Sequence, residues 1–309
     1  MKKSIQRPLL ARHMRESWQM YLFLLVPVVW LIIFRYVPMA GVQLAFRKYS
    51  ISGGIWGSRW VGFQNFNRFF NSYQCERILR NTVALSLYSI IANFPIPILL
   101  ALLLNVMPNL RYKKTVQMVT YAPYFISTTV MVGMLLALFN SRNGLYASLH
   151  YALSGAYPSD LFSSAAAFPH LYVWSGVWQY TGWNTIIYIA ALSSVDMQLH
   201  EAAEIDGASR LQRIWHIDLP CILPTAAILL ILNAGNLMSV GFEKVYLMQN
   251  DLNLRASEVI STYVYKIGLT GMTDYSLSTA IGLFNSLINM TMLLIVNFVT
   301  SKLSGTGLF

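Results

Sequence analysis

A polar segment at 201–220, EAAEIDGASRLQRIWHIDLP, separates two long apolar runs and concentrates the side chains best suited to bind another protein. Its charged side chains can orient a partner through ion pairs, and its small ones let a partner's backbone approach closely. The charged residues are Glu201, Glu204, Arg210 and Arg213, and the small ones are Ala202, Ala203 and Ala208. The chemistry indicated is docking between proteins. An ordinary amphipathic loop helix has the same composition, so composition alone leaves that alternative open.

Local signals predict how this segment folds. Asp196 is suited to cap the N-terminus of a helix, and Gly207 can adopt the left-handed conformation that ends one. We therefore predict two short helices, at 197–206 and 208–216. Pro220 and Pro224 then fall in the first turn of the next membrane helix, where a missing N–H group costs little. Such a helix pair can act as a knob that inserts into a partner.

The chain lacks the motifs of an enzyme. Neither G-x-x-x-x-G-K-[ST] nor G-x-G-x-x-G after a strand occurs, so the chain has no phosphate-binding loop of its own. No H-E-x-x-H motif or catalytic carboxylate pair occurs, and the histidines are scattered along the chain: His13, His150, His170, His200 and His216. We therefore predict no catalytic residue, no metal site and no cofactor bound by this chain.

Composition places the chain in a membrane. Hydrophobic residues make up 56% of the 309 residues and charged residues 11%, whereas charged residues average about 25% in soluble domains. Six runs reach the length of about 20 residues that a spanning helix needs: 18–40, 82–104, 115–139, 170–192, 222–242 and 279–300. We predict an all-α, polytopic membrane protein with six transmembrane helices. The membrane domain would span 18–300, with the docking segment at 196–220 and tails at 1–17 and 301–309.

The segments between the runs carry the charge. The first run is too long for a signal peptide and no A-x-A site follows it, so we predict an uncleaved helix. The count of Lys and Arg is equal on the two sides, although the dense patches at the N-terminus and in loop 105–114 favour a cytoplasmic N-terminus. The net charge of +10 suits anionic lipid headgroups better than nucleic acid. A short interfacial helix from Asn65 to Leu79 or a solvated loop would fit the outer segment 41–81.

The last five apolar runs contain no Asp, Glu, Lys or Arg. Secondary transporters normally place such a group in the membrane to bind a coupling ion, so we expect the energy to come from a partner. Amides and aromatic rings that could bind a sugar are present, although membrane helices also use them to contact each other and the interface. The candidates for lining a substrate pathway through the membrane are Asn93, Tyr121, Tyr124, Trp178, Asn184, Asn233, Asn236, Glu243 and Asn285.

The polar segment resembles the cytoplasmic loop of binding-protein-dependent ABC importer permeases. That loop has the pattern E-A-A, three residues, Gly, nine residues, Ile-x-Leu-Pro. The matching residues are Glu201, Ala202, Ala203, Gly207, Ile217, Leu219 and Pro220. The stretches RNTVALSLYSIIANFPIPILLALLLN and YAPYFISTTVMVGM resemble the core of the same family, and VGFQNF and GFEKVYLM are most similar to its oligosaccharide and polysaccharide branch.

The resemblance implies a type I importer permease in a bacterial cytoplasmic membrane, with both termini in the cytoplasm. Its expected partners are a second, different permease, two ATPase subunits that use ATP and Mg²⁺, an extracytoplasmic solute-binding protein and membrane lipid. The matched residues, with Arg210 and Arg213, would couple the ATPase to transport. Two alternatives remain: a permease of the same superfamily for a non-sugar solute, and a polytopic membrane enzyme. An enzyme would need a carboxylate or His cluster, and the one acidic cluster lies in the docking segment.

Overall fold

The structure is a computed structural model that describes residues 17–270, 273–304 and 307. The predicted N-terminal tail, apart from Ser17, lies outside the described residues, as does most of the predicted C-terminal tail beyond Ser304. The regular elements of the described chain are helices, apart from one antiparallel pair of two-residue strands in which Arg47 pairs with Trp60.

The elements follow in chain order. The first half contains α1 (Trp18–Phe46), β1 (Arg47–Lys48), α2 (Gly54–Gly57), β2 (Arg59–Trp60), α3 (Gln64–Phe70), α4 (Cys75–Asn105), α5 (Leu110–Tyr121), α6 (Thr128–Leu138) and α7 (Leu145–Ser154). The second half contains α8 (Phe168–Leu192), α9 (Met197–Ile205), α10 (Arg210–Ala234), α11 (Phe242–Met248), α12 (Leu254–Ser257), α13 (Ile260–Leu269) and α14 (Tyr275–Ser304).

Four of the described helices, α1, α4, α10 and α14, are long and apolar enough to cross a membrane. The count becomes five if α5 and α6 form one bent span. The helix α8 has 25 residues, but its Trp, Tyr and amide side chains make it too polar to be counted with them. A multi-pass membrane fold is therefore confirmed, and the number six stays a prediction.

The run at 115–139 is not one helix, contrary to expectation. A bend of 101° separates the segments Leu110–Phe125 and Thr128–Leu138. The chain tightens into a 3-10 turn at Ala122–Phe125, and the Ser127 hydroxyl then accepts a hydrogen bond from the Val130 N–H at 3.4 Å. Because Pro123 cannot donate to a preceding carbonyl and Ser127 caps a new helix, the backbone can change direction here.

Two other boundaries differ from the predictions. The helix α10 ends at Ala234 instead of crossing to 242, and hydrogen-bonded turns lead to α11. The predicted interfacial helix from Asn65 to Leu79 is two elements, because α3 ends at Phe70 and Cys75 begins the long α4. Phe69 is buried against α13 and α14, and this contact holds α3 against the helical core of the protein.

The core is organised around α8, which packs against α4, α5 and α10. At the closest approach, a Cβ built on Gly182 would lie 2.1 Å from the carbonyl oxygen of Thr120, so only glycine allows the two backbones to cross there. By contrast, none of the most apolar part of α1 is buried against the rest of the described chain. The two cysteines, Cys75 and Cys221, are free thiols.

Candidate functional site

The first part of the docking segment folds as its sequence predicts. Asp196 accepts a hydrogen bond from the Gln198 N–H at 3.0 Å and begins α9. Gly207 has a φ of +79°, which confirms the predicted left-handed residue. The Ala208 N–H donates to the Ala203 carbonyl at 2.9 Å and the Gly207 N–H to the Glu204 carbonyl at 3.1 Å. These two bonds form a Schellman motif, in which the glycine reverses the chain after the helix.

The second part differs from the prediction of a separate helix at 208–216. Ser209 and Gln212 form a reciprocal capping box, so α10 begins at Arg210. It continues through a π-helical turn at Ile214–Asp218 into the membrane. The wider π turn accommodates Pro220, whose ring would otherwise clash with a carbonyl of the preceding turn. The second part of the docking segment and the membrane helix thus form one continuous helix.

The exposed face of this segment is partly apolar. Glu201, Ala202 and Arg210 are exposed, and so are the large side chains of Ile205 (87%), Leu211 (72%) and Trp215 (63%). Sequence reasoning chose the charged and small residues and missed these three, although large apolar residues in an otherwise polar loop are themselves a signal. Exposed apolar groups rimmed by charge are typical of a protein interface.

Other residues of the segment hold it in place. Arg213 Nη1 lies 2.9 Å from Glu204 Oε2 and links the start of α10 to α9. Asp218, only 1% exposed, accepts a hydrogen bond from Asn105 Nδ2 at 3.2 Å and lies 3.2 Å from His200 Nε2. It therefore joins the C-terminal end of α4 to α9 and α10. Of the residues matching the loop pattern, Leu219 packs on the adjacent core cluster, Ile217 is half-buried and Pro220 is exposed.

A cavity of about 500 Å³ lies between α4, α8, α10 and α11. Four of the predicted pathway residues line it: Asn93, Asn184, Asn233 and Glu243. The structure adds lining residues that sequence reasoning did not select: Tyr172, Gly176, Tyr180 and Lys244. The cavity therefore combines amides, aromatic rings and two opposite charges, a lining suited to a polar solute with some apolar surface.

The other five candidates lie outside this cavity. Tyr124 stacks on Trp183 with the ring centroids 4.1 Å apart. Its ring also packs against Tyr180, which lines the cavity. Trp178 lines a separate, apolar cavity of about 450 Å³. The remaining three are Tyr121 on α5, Asn236 in the turn after α10 and Asn285 on α14.

Lys244 is the cation of the cavity and is only 7% exposed. Its Nζ donates to the Tyr172 carbonyl oxygen at 3.0 Å and lies 5.0 Å from the centroid of the Tyr172 ring. Lys244 belongs to α11, beyond the end of the spanning α10, and burial lowers its pKa to about 8. The ammonium is therefore still mostly protonated at neutral pH. The adjacent Glu243 is exposed, and its Oε1 accepts from Thr129 Oγ1 at 3.4 Å.

Comparison with known proteins agrees with these features. Residues 79–305 match the family described as "Binding-protein-dependent transport system inner membrane component". Protein LplB of Bacillus subtilis (strain 168) is 41% identical over 96% of this chain and 92% of its own length. The polygalacturonan/rhamnogalacturonan transport system permease protein YteP of the same organism is 37% identical over 100% and 95%.

A solved structure has the same fold over nearly its full length. One chain of the bacterial alginate ABC transporter, in a crystal structure with an alginate pentasaccharide-bound periplasmic protein, is 34% identical with a TM-score of 0.88. The match covers 96% of the present chain and 99% of the transporter chain. The comparisons and the shared fold lead to one conclusion: this chain belongs to the family of binding-protein-dependent transport system inner membrane components, the permease subunits of ABC importers.

Proposed function

We propose that this chain is the permease subunit of an ATP-driven importer of oligosaccharides and that α10 transmits the force of the ATPase to the cavity. The observation that carries the proposal is the continuity of α10, which has the docking face at Arg210 and the cavity residue Asn233 at its two ends. At 1.5 Å per residue these positions are about 35 Å apart, close to the thickness of a membrane. A movement imposed on one end of such a helix reaches the other.

In this mechanism the exposed face of the docking segment, with Leu211 and Trp215, inserts into an ATPase subunit. Two ATPase subunits bind ATP and Mg²⁺, and their closure draws the docking segments of two permeases together. The Glu204–Arg213 ion pair and the contact of Asp218 with His200 would keep α9 and α10 moving as one body. Rocking of these helices opens the cavity alternately to either side of the membrane.

The topology that we propose has six spans, with α8 as the fourth and the bent α5–α6 pair as the third. Both termini and the docking segment then lie on the same, cytoplasmic side. The exposed apolar surface of α1 would contact lipid and a second, homologous permease, giving a heterodimer. A solute-binding protein would deliver the sugar to the outer face. The alginate transporter, which is bound to a periplasmic protein, supports this arrangement.

Two observations support a sugar as the transported solute: the side chains that line the cavity and the solutes for which related transporters are named. Amides can bond sugar hydroxyls while aromatic rings such as Tyr180 stack on the C–H faces of the sugar. The related permease named for polygalacturonan and rhamnogalacturonan and the alginate transporter point to the same class of solute. The cavity of about 500 Å³ has room for a few sugar units, in the range typical of ligand sites.

The test is ATP hydrolysis by the purified complex in lipid, measured with candidate solute-binding proteins loaded with oligosaccharides of different length. Stimulation by a sugar-loaded protein, lost in Gly207→Pro and retained in the matched outer-loop variant Gly155→Pro, is the expected result. Stimulation by peptide or amino-acid loads alone would show that the solute is not a sugar. The absence of any coupled hydrolysis would contradict the importer function itself.

A further inference from the structure

Lys244 is a buried cation without a counter-ion in the described part of the chain. Among the described residues, no carboxylate oxygen lies within 4.0 Å of Lys244 Nζ, the distance limit for an ion pair. By contrast, Lys266 Nζ on α13 lies 3.9 Å from Glu258 Oε1. An ammonium has three N–H donors, and one hydrogen bond is seen here, to the Tyr172 carbonyl. Because a buried charge is costly unless it is paired, the free donors of Lys244 favour an anionic partner.

Space for that partner exists beside the ammonium. A Cβ built on Gly176 would lie 3.4 Å from Lys244 Nζ and 4.0 Å from Asn93 Oδ1. All three residues line the cavity. The missing side chain of Gly176 thus leaves a gap that is bordered by a cation on one side and an amide on the other.

Glu243 does not fill this gap. Consecutive helix residues point about 100° apart, and the Glu243 side chain is exposed and bonded to Thr129 while Lys244 is buried. Glu243 and Lys244 therefore place their opposite charges at different parts of the cavity wall. A ligand that reaches the Gly176 gap meets Lys244 first.

Building on the proposed importer function, we propose that the transported oligosaccharide is anionic and that Lys244 Nζ binds one of its negatively charged groups in the Gly176 gap. The group is a carboxylate of a uronic acid unit or a sulfate ester, since an ammonium recognises either as a point charge. The Asn93 amide, at the other edge of the gap, is placed to bond a neighbouring hydroxyl of the same sugar unit.

The experiment measures equilibrium binding of oligosaccharides to the purified transporter complex in lipid nanodiscs, without the solute-binding protein, so that only the membrane cavity selects. The probes are length-matched oligouronates, their carboxyl-reduced neutral counterparts, and sulfated neutral oligosaccharides. The expected result is tighter binding of an anionic series than of the neutral one by about tenfold, which corresponds to about 1.4 kcal/mol. The two anionic series distinguish carboxylate from sulfate.

The variants separate a binding role from a structural one. Lys244→Gln keeps a donor for the Tyr172 carbonyl but removes the charge, and it should lower the affinity for the anionic probe about tenfold while neutral binding stays within about twofold. Lys244→Arg should restore most of the preference, and Lys266→Met is the matched control outside the cavity. If Lys244→Gln fails to assemble, Gly176→Ala fills the gap with Lys244 intact and should reduce anion binding selectively.

Equal binding of neutral and anionic probes, or an equal loss of affinity for both probes in Lys244→Gln, would overturn the proposal that the solute is anionic. So would the absence of anion binding by a complex that a sugar-loaded protein still stimulates. A complex that no sugar-loaded protein stimulates contradicts the proposed importer function instead, so the two failures are distinct.

Discussion

Substitution of Gly207 tests whether the shape of the docking segment controls coupling. A Cβ at this position would meet nothing within 4 Å, so Gly207→Ala costs only the backbone strain of a φ of +79°. That strain is about 1–2 kcal/mol for a residue with a side chain. It reduces the population of the docking conformation, and hence the apparent association constant for the ATPase subunit, by about 5- to 30-fold.

The size of the effect should follow the backbone preference of the new residue and not its volume. Asn tolerates the left-handed region, so Gly207→Asn should fall between the wild type and Gly207→Ala. Gly207→Pro cannot adopt the conformation at all, because proline fixes φ near −65°, and it also loses the N–H that donates to Glu204. We expect it to abolish coupling.

The assay is titration of the permease complex in nanodiscs with purified ATPase subunit, alongside sugar uptake in cells and the amount of protein in the membrane. Gly155 is the matched control, because it ends α7 with a φ of +71° and equally open surroundings. Gly155→Ala should have the same backbone cost but unchanged docking. Wild-type docking by Gly207→Ala, or an equal loss in the Gly155 variant, would refute the reasoning.

Further variants test the packing and the docking face. Gly182→Ala should abolish accumulation of folded protein in size-exclusion profiles, because its Cβ would overlap the backbone of α5, whereas Gly133→Ala, with nothing within 4 Å, should accumulate normally. Asp218→Ala should lower stability in thermal unfolding by about 1–2 kcal/mol, because two donors lose their acceptor; an unchanged midpoint would contradict that role. Glu204→Gln should change the free energy of unfolding by less than about 0.5 kcal/mol, since the Glu204 side chain of this ion pair is 71% exposed. Trp215→Ala should weaken ATPase binding by about 2 kcal/mol if this ring anchors the interface, and unaltered binding would exclude it.

Local signals in the sequence were sufficient for the docking segment's first helix and for the membrane class. Asp196 and Gly207 act on their own backbone neighbours, so a helix start and a helix end can be predicted from them without knowing the fold. The pattern around Glu201 indicated the family. The apolar runs indicated a membrane protein because spanning a bilayer requires length and hydropathy, which are properties of a segment by itself.

Tertiary structure decided which residues form the cavity. Asn93, Gly176, Asn233 and Lys244 come from four different helices, and the contact of Asp218 with Asn105 joins residues 113 positions apart. Lipid and protein core are both apolar, so the hydropathy of a membrane helix does not show which face meets the core and which meets lipid. For that reason the sequence by itself established a membrane permease with a docking segment, while only the packing of the helices placed a buried lysine beside a gap for the solute.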